Sequence, residues 1–320
     1  MNIVVAAPIR DRAWILPDWL AHLARAAKRA GEDGHQVEFI FLENDSVDET
    51  PQMLCEFADL WPTILLKHDY GYAHYKVPFA ERSKGERVNP RNDKRELAEL
   101  RNMIVETFLQ KTRGHYLVMW DSDVIMPLET LSADPRSLIS MMKVCPSVGT
   151  MCADVQHPHC LGKFHNYMLS TPLGGYNHPD RSKMVQAEQM IYQFVVDTHG
   201  QYITPSRLYG VSWEEENVSY VARVGTTGGG GAAIIRREVL SYAPSIFKHL
   251  PGHYGAHPQG EDIVLCEAIR ASGLDVAMYS GIRGLHMPRD LYEGPLDLQE
   301  LYGVWIEDWL CTRSQAQVTA

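Results

Sequence analysis

The sequence predicts an α/β protein in which a mostly parallel central sheet is flanked by helices and forms a single body. Short apolar runs alternate with amphipathic stretches of helix length over residues 1–130. This alternation is typical of βαβ units, in which functional groups gather at the carboxyl ends of the strands. A chain of 320 residues is long enough to bury the core that this architecture needs.

The first strands and helices follow from the spacing of apolar residues. The first helix has a basic last turn and ends at Gly31, and the second is capped at Ser46 or Asp48. The third strand leads into a loop, residues 67–95, in which Lys and Arg outnumber the acids among several tyrosines. The strands are predicted at NIVVAAP, VEFIFLEND and TILLKH, and the helices at ILPDWLAHLARAAKRAG and SVDETPQMLCEFADLW.

The alternation continues through the rest of the chain. A long loop rich in His, Gly and Pro, residues 156–182, has the length of a binding loop or a lid. The C-terminal stretch LQELYGVWIEDWL predicts a helix docked by its aromatic residues. Further helices are predicted at DKRELAELRNMIVETFLQKT, near DPRSLISMMKV and from Glu261 to Ser272, and further strands at HYLVMW, VGTMCADV, SYVARVG, AAIIRR and DVAMYS.

Composition excludes some broad classes of protein. Hydrophobic residues make up 45% of the chain and charged residues 22%, which is too apolar for a disordered protein. The net charge of −10 disfavours a general nucleic-acid binder, although a local basic patch would still bind anions. No stretch reaches the length of a membrane span, and the six cysteines are interpreted as reduced thiols, so we expect a cytoplasmic protein.

Two aspartates follow the buried strand in HYLVMWDSDVIMP. Asp121 and Asp123 point the same way from an extended backbone, because side chains alternate along a strand with a period of two. A pair of hard oxygen ligands suits Mn²⁺ or Mg²⁺ better than a soft metal. The alternative is a strand-end turn in which Asp121 caps the following segment.

A second cluster carries softer ligands. Cys152, His157, His159 and Cys160 would suit a structural Zn²⁺ ion. Their spacing matches no standard zinc finger, and the histidines flanking Pro158 fit a lid loop as well. The sequence leaves both interpretations open.

The ordered series of motifs resembles the GT-A glycosyltransferases, whose fold is Rossmann-like. The resemblance covers residues 3–288 and implies a nucleotide-sugar-binding half, residues 1–130, followed by an acceptor-binding half, residues 131–320, with the lid loop and the C-terminal helix. The Glu-Asp helix resembles inverting families, whereas the Asp-x-Asp block and the glycine run also resemble fungal mannan-polymerase-type mannosyltransferases. The matching segments are PIRDR, ENDSVDET, ELRNMIVE, the Asp-Ser-Asp motif, VGTTGGGGAAIIRREVL, PQGEDIVLCEAIRASG and GLHMP.

The resemblance implies a role for each matching residue. Ordinary structural roles compete with these, since acidic residues suit the first turn of any helix and a lone histidine is usually structural. The implied set is Pro8, Arg10, Asp45, Arg101 and Asp121 for the nucleotide sugar, Asp121, Asp123 and His286 for Mn²⁺ or Mg²⁺, Gly229, Gly230 and Glu261 for the acceptor, and Asp262 as the catalytic base.

The activity that this implies is metal-dependent transfer of a sugar from a UDP- or GDP-sugar to a hydroxyl of a glycan or glycolipid, with inversion favoured. An alternative acceptor is a hydroxymethylated base of phage DNA, because the basic loop 67–95 would follow phosphates as well as it would clamp a donor diphosphate. A sugar-phosphate nucleotidyltransferase would need a glycine-rich loop after the first strand, which PIRDRAWILP lacks. A non-catalytic binding protein is the third alternative.

Overall fold

The computed structural model describes residues 1–70, 90–156, 192–197, 202–203, 218–224, 231–243, 245–248 and 261–287. The described strands are β1 (Asn2–Ile9), β2 (Gln36–Glu43), β3 (Thr63–Lys67), β4 (Tyr116–Trp120), β5 (Val124–Ile125), β6 (Val148–Gln156), β7 (Tyr192–Asp197), β8 (Tyr202–Ile203), β9 (Val218–Val224), β10 (Ala232–Arg236) and β11 (Asp275–His286). The described helices are α1 (Leu16–Glu32), α2 (Thr50–Ala58), α3 (Pro90–Lys111), α4 (Leu138–Val144), α5 (Arg237–Tyr242) and α6 (Glu261–Ala271), with a 3₁₀ helix at Leu128–Leu131.

All described strands belong to one sheet. Its order is β3-β2-β1-β4-β10-β6-β11-β9-β7-β8, and β5 pairs with β11 beside this path. The first four strands in this order are parallel to one another, and β6 and β11 are also parallel. Seven described strands run in one direction, namely β1–β4, β6, β7 and β11. The other four, β5, β8, β9 and β10, are antiparallel to them. This confirms the predicted α/β fold, with a mostly parallel central sheet.

Helices cover both faces of the sheet because the buried strands are apolar on both sides. Along β1, Ile3 and Val5 face a core shared with α1, α2 and α4, whereas Val4 and Ala6 face a core shared with α3, α5 and α6. All four side chains are fully buried. The alternation of the strand therefore supplies two hydrophobic cores, one on each face.

Several boundaries differ from the sequence prediction. Helix α1 runs past Gly31 to Glu32, and Gly34 adopts the left-handed backbone, at a φ of 77°, that follows many helix ends. Helix α2 is not capped at Ser46 or Asp48: its N-cap is Glu49, without a side-chain cap hydrogen bond. The Asp48 carboxylate instead accepts the backbone N–H groups of Thr50 and Ala13, and so joins two loops.

Strand β11 is longer than predicted and ends at His286, and the strands β5, β7 and β8 were not predicted. Most of the basic loop (71–89), most of the lid loop, and the C-terminal stretch 288–320 lie outside the described residues. Of the proposed zinc ligands only Cys152 is described, and the zinc prediction therefore stays a prediction.

Among the described helices, none combines the length and the apolar character that crossing a membrane requires. The predicted cytoplasmic location and the division into residues 1–130 and 131–320 stay predictions.

Candidate functional site

The sheet order brings three loops together. Strand β1 lies between β2 and β4, and all three run in the same direction. The segments that follow them therefore meet at one edge of the sheet, with the β1–α1 loop in the middle. Strand β10 is antiparallel to β4, so the first residues of β10 lie beside the end of β4.

The β1–α1 loop is tied to the β2–α2 loop through backbone N–H groups. Asp11 donates its N–H to the Ser46 hydroxyl (3.1 Å), and Arg12 donates its N–H to the Thr50 hydroxyl (2.8 Å). In return, the Asp11 carboxylate accepts the N–H of Val47 (2.9 Å). Asp11 and Asp45 both have a φ of 49°, a left-handed conformation that Asp tolerates better than most residues.

The sequence-predicted nucleotide residues Pro8, Arg10 and Asp45 all lie at this edge. Pro8 is half-buried near the end of β1, and the Arg10 Nε lies 3.7 Å from the Asp11 carboxylate. Asp45 follows β2, and its carboxylate accepts the backbone N–H of Tyr70 (2.9 Å). This hydrogen bond holds the loop after β2, and contact between Asp45 and a nucleoside stays a prediction.

Buried side chains form hydrogen bonds to the backbone directly after the turn that carries Asp121 and Asp123. The Trp120 indole N–H donates to the Val124 carbonyl at 2.7 Å, and the ring of His22 on α1 donates to the Met126 carbonyl. Burial lowers the pKa of His22 to about 4, so its imidazole is neutral at physiological pH. The two bonds fix the backbone on which the aspartates stand.

Neighbouring strands fix the same turn from the side. The Asp121 N–H donates to the Gly231 carbonyl (3.0 Å), and the Met287 N–H donates to the Asp123 carbonyl (2.7 Å). Strand β5, directly after the turn, pairs with the end of β11, so that His286 lies opposite Val124. Gly229 and Gly230, the predicted acceptor glycines, lie outside the described residues, and their acceptor role stays a prediction.

On one side of the turn, Asp121 contacts a buried arginine. Arg101 on α3, only 3% exposed, binds the Glu261 carboxylate at 2.6 Å and the Asp121 carboxylate at 3.3 Å. Its guanidinium also lies 5.8 Å from the centre of the Phe247 ring. Burial raises the pKa of Asp121 to about 6, and the like charges of Asp123 and Glu261 add to this while Arg101 opposes it.

On the other side, Asp123 contacts two cationic or ionisable groups. The Arg12 guanidinium donates to its Oδ2 at 3.0 Å, and the Nε2 of His286 lies 3.6 Å from the same oxygen. Burial acts to raise the pKa of Asp123, but His286 and Arg12 outweigh it and hold this pKa below its usual value. The same contact with Asp123 raises the pKa of His286.

Glu261 and Asp262 form the first turn of α6, and both are buried. The Asp262 carboxylate accepts the backbone N–H of Ile263 at 2.9 Å. Burial and the neighbouring Glu261 raise the pKa of Asp262. A carboxylate whose pKa is raised in this way holds a proton more tightly than an exposed one does, as a general base requires.

The ligand types at the turn fit a hard divalent ion. Carboxylate oxygens and an imidazole nitrogen match Mn²⁺. Within the described ranges, no three His, Cys, Asp or Glu side chains converge as a complete metal site. One oxygen of Asp121 faces Arg101 instead, and one oxygen of Asp123 is bound by Arg12.

Two residues of the site were missed by the sequence analysis. Arg12 was passed over in favour of Arg10, although its position directly after the strand that pairs with β4 could have indicated a contact with the Asp121–Asp123 turn. Asn102 was also missed: its amide donates to the Phe247 carbonyl (2.7 Å) and accepts the Phe247 N–H (3.0 Å). It thereby holds the backbone of the residue on which Arg101 packs.

No protein-family model matches the sequence, and no curated protein is significantly similar to it. Among solved structures, S. aureus TarS 1–349 is 12% identical and matches over 90% of this chain and 60% of its own, with a TM-score of 0.46. GalNAc-T7 with UDP, GalNAc and Mn²⁺ is 12% identical over 92% of this chain and 45% of its own, at a TM-score of 0.48.

The mannosyltransferase PcManGT from Pyrobaculum calidifontis, in complex with GDP-Man and Mn²⁺, is 13% identical over 91% of this chain and 58% of its own, with a TM-score of 0.47. The chain thus spans about half the length of these three solved chains. Because all three TM-scores lie below 0.5, the functional assignment rests on the geometry of the site itself.

Proposed function

We propose that the protein is a metal-dependent glycosyltransferase that moves a sugar from a UDP- or GDP-sugar to a hydroxyl of a glycan or glycolipid. One observation carries the proposal. Asp121 and Asp123 stand on a rigid turn between Arg12 and Arg101, at the same sheet edge as the Asp45 loop and close to the start of α6, where Arg101 meets Glu261. Transfer of a sugar from a nucleotide diphosphate requires neighbouring groups that bind a cation, bind an anion and accept a proton.

On the donor side, the chain's own residues bind and orient the nucleotide sugar. Pro8, Arg10 and Asp45 would line the nucleoside site, with the left-handed turn at Asp45 fixing the direction of its carboxylate. Bound by Asp121, Asp123 and His286, Mn²⁺ or Mg²⁺ would supply Lewis-acid neutralisation of the leaving diphosphate. Arg101 orients Asp121 from a position too buried to exchange its partners.

On the acceptor side, Asp262 would accept the proton of the incoming hydroxyl. As the acceptor oxygen bonds to the anomeric carbon, the bond from that carbon to the diphosphate oxygen breaks, and the proton moves to the carboxylate. Glu261, Gly229 and Gly230 would border the acceptor. In a retaining enzyme Asp262 would only orient the acceptor, so the stereochemistry of the product distinguishes the two mechanisms.

The β1–α1 loop disfavours the sugar-phosphate nucleotidyltransferase. A phosphate-binding loop needs backbone N–H groups that point at the ligand. Here the N–H groups of Asp11, Arg12 and Ala13 donate instead to side chains of the β2–α2 loop. Those donors are already used within the protein, which favours a donor site that relies on side chains.

The proposal is tested first by thermal shift with UDP, GDP and their sugars, with and without Mn²⁺, since a ligand of the folded state raises the melting temperature. We then expect Asp262→Asn to keep the donor-induced shift and to lose transfer by at least about 100-fold, because a carboxamide cannot accept the proton. Asp59→Asn, at an exposed carboxylate after α2, is the matched control and should behave as wild type.

Outcomes against the proposal are specific. No shift with any nucleotide would exclude a nucleotide-sugar enzyme. Full transfer by Asp262→Asn with an unchanged pH profile would mean that the base lies elsewhere or that configuration is retained. Transfer to hydroxymethylated duplex DNA, but to no glycan, would favour the DNA alternative; the basic loop 67–95, predicted to follow phosphates in that case, lies mostly outside the described residues.

A further inference from the structure

Arg12 binds the oxygen of Asp123 that a divalent cation would need. Its Nη2 lies 3.0 Å from Asp123 Oδ2, the same atom that the His286 Nε2 approaches at 3.6 Å. A guanidinium and a divalent cation repel each other at such distances. A metal ion bound by Asp123 and His286 would therefore compete with the Arg12 guanidinium for the Oδ2 of Asp123.

The local structure allows that movement. The backbone of Arg12 is fixed, because its N–H donates to Thr50 and its carbonyl accepts the N–H groups of Ile15 and Leu16. Its side chain is 34% exposed, and its Nε finds no hydrogen-bond partner among the described residues. A fixed backbone that carries a partly exposed, weakly held guanidinium is suited to exchange one anionic partner for another.

The other arginines at this edge lack that combination. Arg101 is 3% exposed and is held by two carboxylates, so it cannot leave without exposing buried charge. The Arg10 Nε lies 3.7 Å from the carboxylate of Asp11. Of the two described arginines that contact the Asp121–Asp123 turn, Arg12 is therefore the one with access to solvent.

We propose that Arg12 competes with the metal ion for Asp123, and that the diphosphate of the donor draws its guanidinium away. Arg12 neutralises Asp123 in the free protein and weakens the binding of a cation alone to the turn. The arrival of a nucleotide diphosphate provides a second anion, which a guanidinium binds with bidentate geometry. Metal and nucleotide then bind in a mutually dependent way. This inference rests on the proposed function, and Arg12 acts in it as a positioning residue for the metal site.

The test measures Mn²⁺ binding to the full chain by electron paramagnetic resonance of the free ion, without any turnover. We expect Arg12→Gln to bind Mn²⁺ about 10-fold more tightly than wild type when no nucleotide is present, because the competing cation is gone. In wild type, saturating UDP or GDP should tighten Mn²⁺ binding; in Arg12→Gln this tightening should largely disappear. The affinity for the nucleotide in the presence of Mn²⁺ should fall about 10-fold.

Arg29→Gln is the matched control, since Arg29 lies on α1 and forms an exposed ion pair with Glu32. It should change neither affinity. Both variants replace solvent-accessible side chains, and equal melting temperatures would show that the fold is kept.

Two outcomes would overturn the inference while leaving the proposed function intact. One is a Mn²⁺ affinity of Arg12→Gln equal to that of wild type; the other is an unchanged coupling between Mn²⁺ and nucleotide. Failure of the proposed function looks different. In that case wild type and variant bind Mn²⁺ but no nucleotide diphosphate, and the competition at Asp123 still shows as tighter Mn²⁺ binding by Arg12→Gln.

Discussion

The two sides of the Asp121–Asp123 turn differ in charge and in exposure. Towards α3 and α6, one buried guanidinium, that of Arg101, faces the carboxylates of Asp121, Glu261 and Asp262. Towards the β1–α1 loop and β11, the single carboxylate of Asp123 faces two more exposed groups, Arg12 and His286. One side thus has an excess of acid, and the other has an excess of base.

This difference acts on aspartates only two residues apart. The pKa of Asp121 is raised to about 6 by burial, whereas that of Asp123 is lowered because His286 and Arg12 outweigh burial. Sequence motifs treat the two as equivalent metal ligands. The structure gives the two different surroundings: acidic groups predominate beside Asp121, and basic groups predominate beside Asp123.

Among substitutions at the two sides of the turn, removal of the buried Arg101 guanidinium should have the largest effect on stability. Arg101→Met leaves Glu261 and Asp121 without the guanidinium that binds them. We expect the free energy of unfolding to fall by about 3–5 kcal/mol, the usual result of breaking a buried pair by removing one partner. Urea unfolding at pH 7.5 measures this, and Arg29→Met, at an exposed site, should stay within about 0.5 kcal/mol of wild type.

A second variant separates charge from packing at that site. Adding Glu261→Gln to Arg101→Met removes one of the stranded charges, so the double variant should be more stable than the Arg101→Met single variant. A loss under about 1 kcal/mol for Arg101→Met would contradict a charge-compensating role, and so would a double variant that is less stable than the single one.

Neutralising each aspartate in turn should have opposite effects on stability. The pKa of Asp121 is raised in the folded state, so its contribution is fully present below the ordinary value of 3.8 and is lost as the pH rises through about 6. Asp123 has a lowered pKa, so its contribution is present above 3.8 and is lost as the pH falls through the folded-state pKa. At pH 7.5, Asp121→Asn should therefore stabilise the metal-free protein and Asp123→Asn should destabilise it.

For Asp121 the expected gain is about 1 kcal/mol, because a shift of about two pKa units corresponds to about 3 kcal/mol and partial exposure of the side chain reduces it. Urea unfolding in EDTA at pH 7.5 and pH 4 measures both variants, and the difference between Asp121→Asn and wild type should shrink at pH 4. Equal effects of the two substitutions at pH 7.5 would show that the two sides of the turn do not differ electrostatically.

The sequence predicts the parts of this site that depend on local pattern. Apolar runs place Asp121 and Asp123 directly after β4, and the acidic start of α6 places Asp262 in its first turn, whereas the predicted strand DVAMYS stops short of His286. The roles assigned to these residues stay predictions, but their convergence follows from the direction of the strands. Local pattern was sufficient for the aspartates because strand ends and helix starts are set by neighbouring residues.

The ion pairs of the site join distant parts of the chain, and local sequence pattern does not predict them. Arg12 and Asp123 are 111 residues apart, and Arg101 and Glu261 are 160 apart. These contacts depend on which strands become neighbours and on how α6 docks against α3, and no periodicity encodes either. Arg101 was expected to face the donor, and only the docked helix shows that two carboxylates hold its guanidinium.

The smallest expected effect on stability concerns Asp45, which lies outside both sides of the turn. Its carboxylate accepts the Tyr70 N–H at 2.9 Å, and its backbone is left-handed, at a φ of 49°. Asparagine keeps an acceptor oxygen and tolerates the left-handed region equally well. Asp45→Asn should therefore change the free energy of unfolding by no more than about 0.5 kcal/mol, and it should leave the electrostatics of Asp121 and Asp123 unaltered.

Nucleotide binding separates the two roles of Asp45. If its carboxylate also accepts a hydrogen bond from the nucleoside, as proposed, the loss of charge should weaken UDP or GDP binding by about 10-fold, since hydrogen bonds to charged groups are worth about 1.5–3 kcal/mol. Calorimetry with each nucleotide measures this, while Mn²⁺ binding in the absence of nucleotide should match wild type. Wild-type nucleotide affinity would assign Asp45 to the turn alone, and altered Mn²⁺ binding would mean that the β2–α2 loop also controls the Asp121–Asp123 turn, through its bonds to the β1–α1 loop.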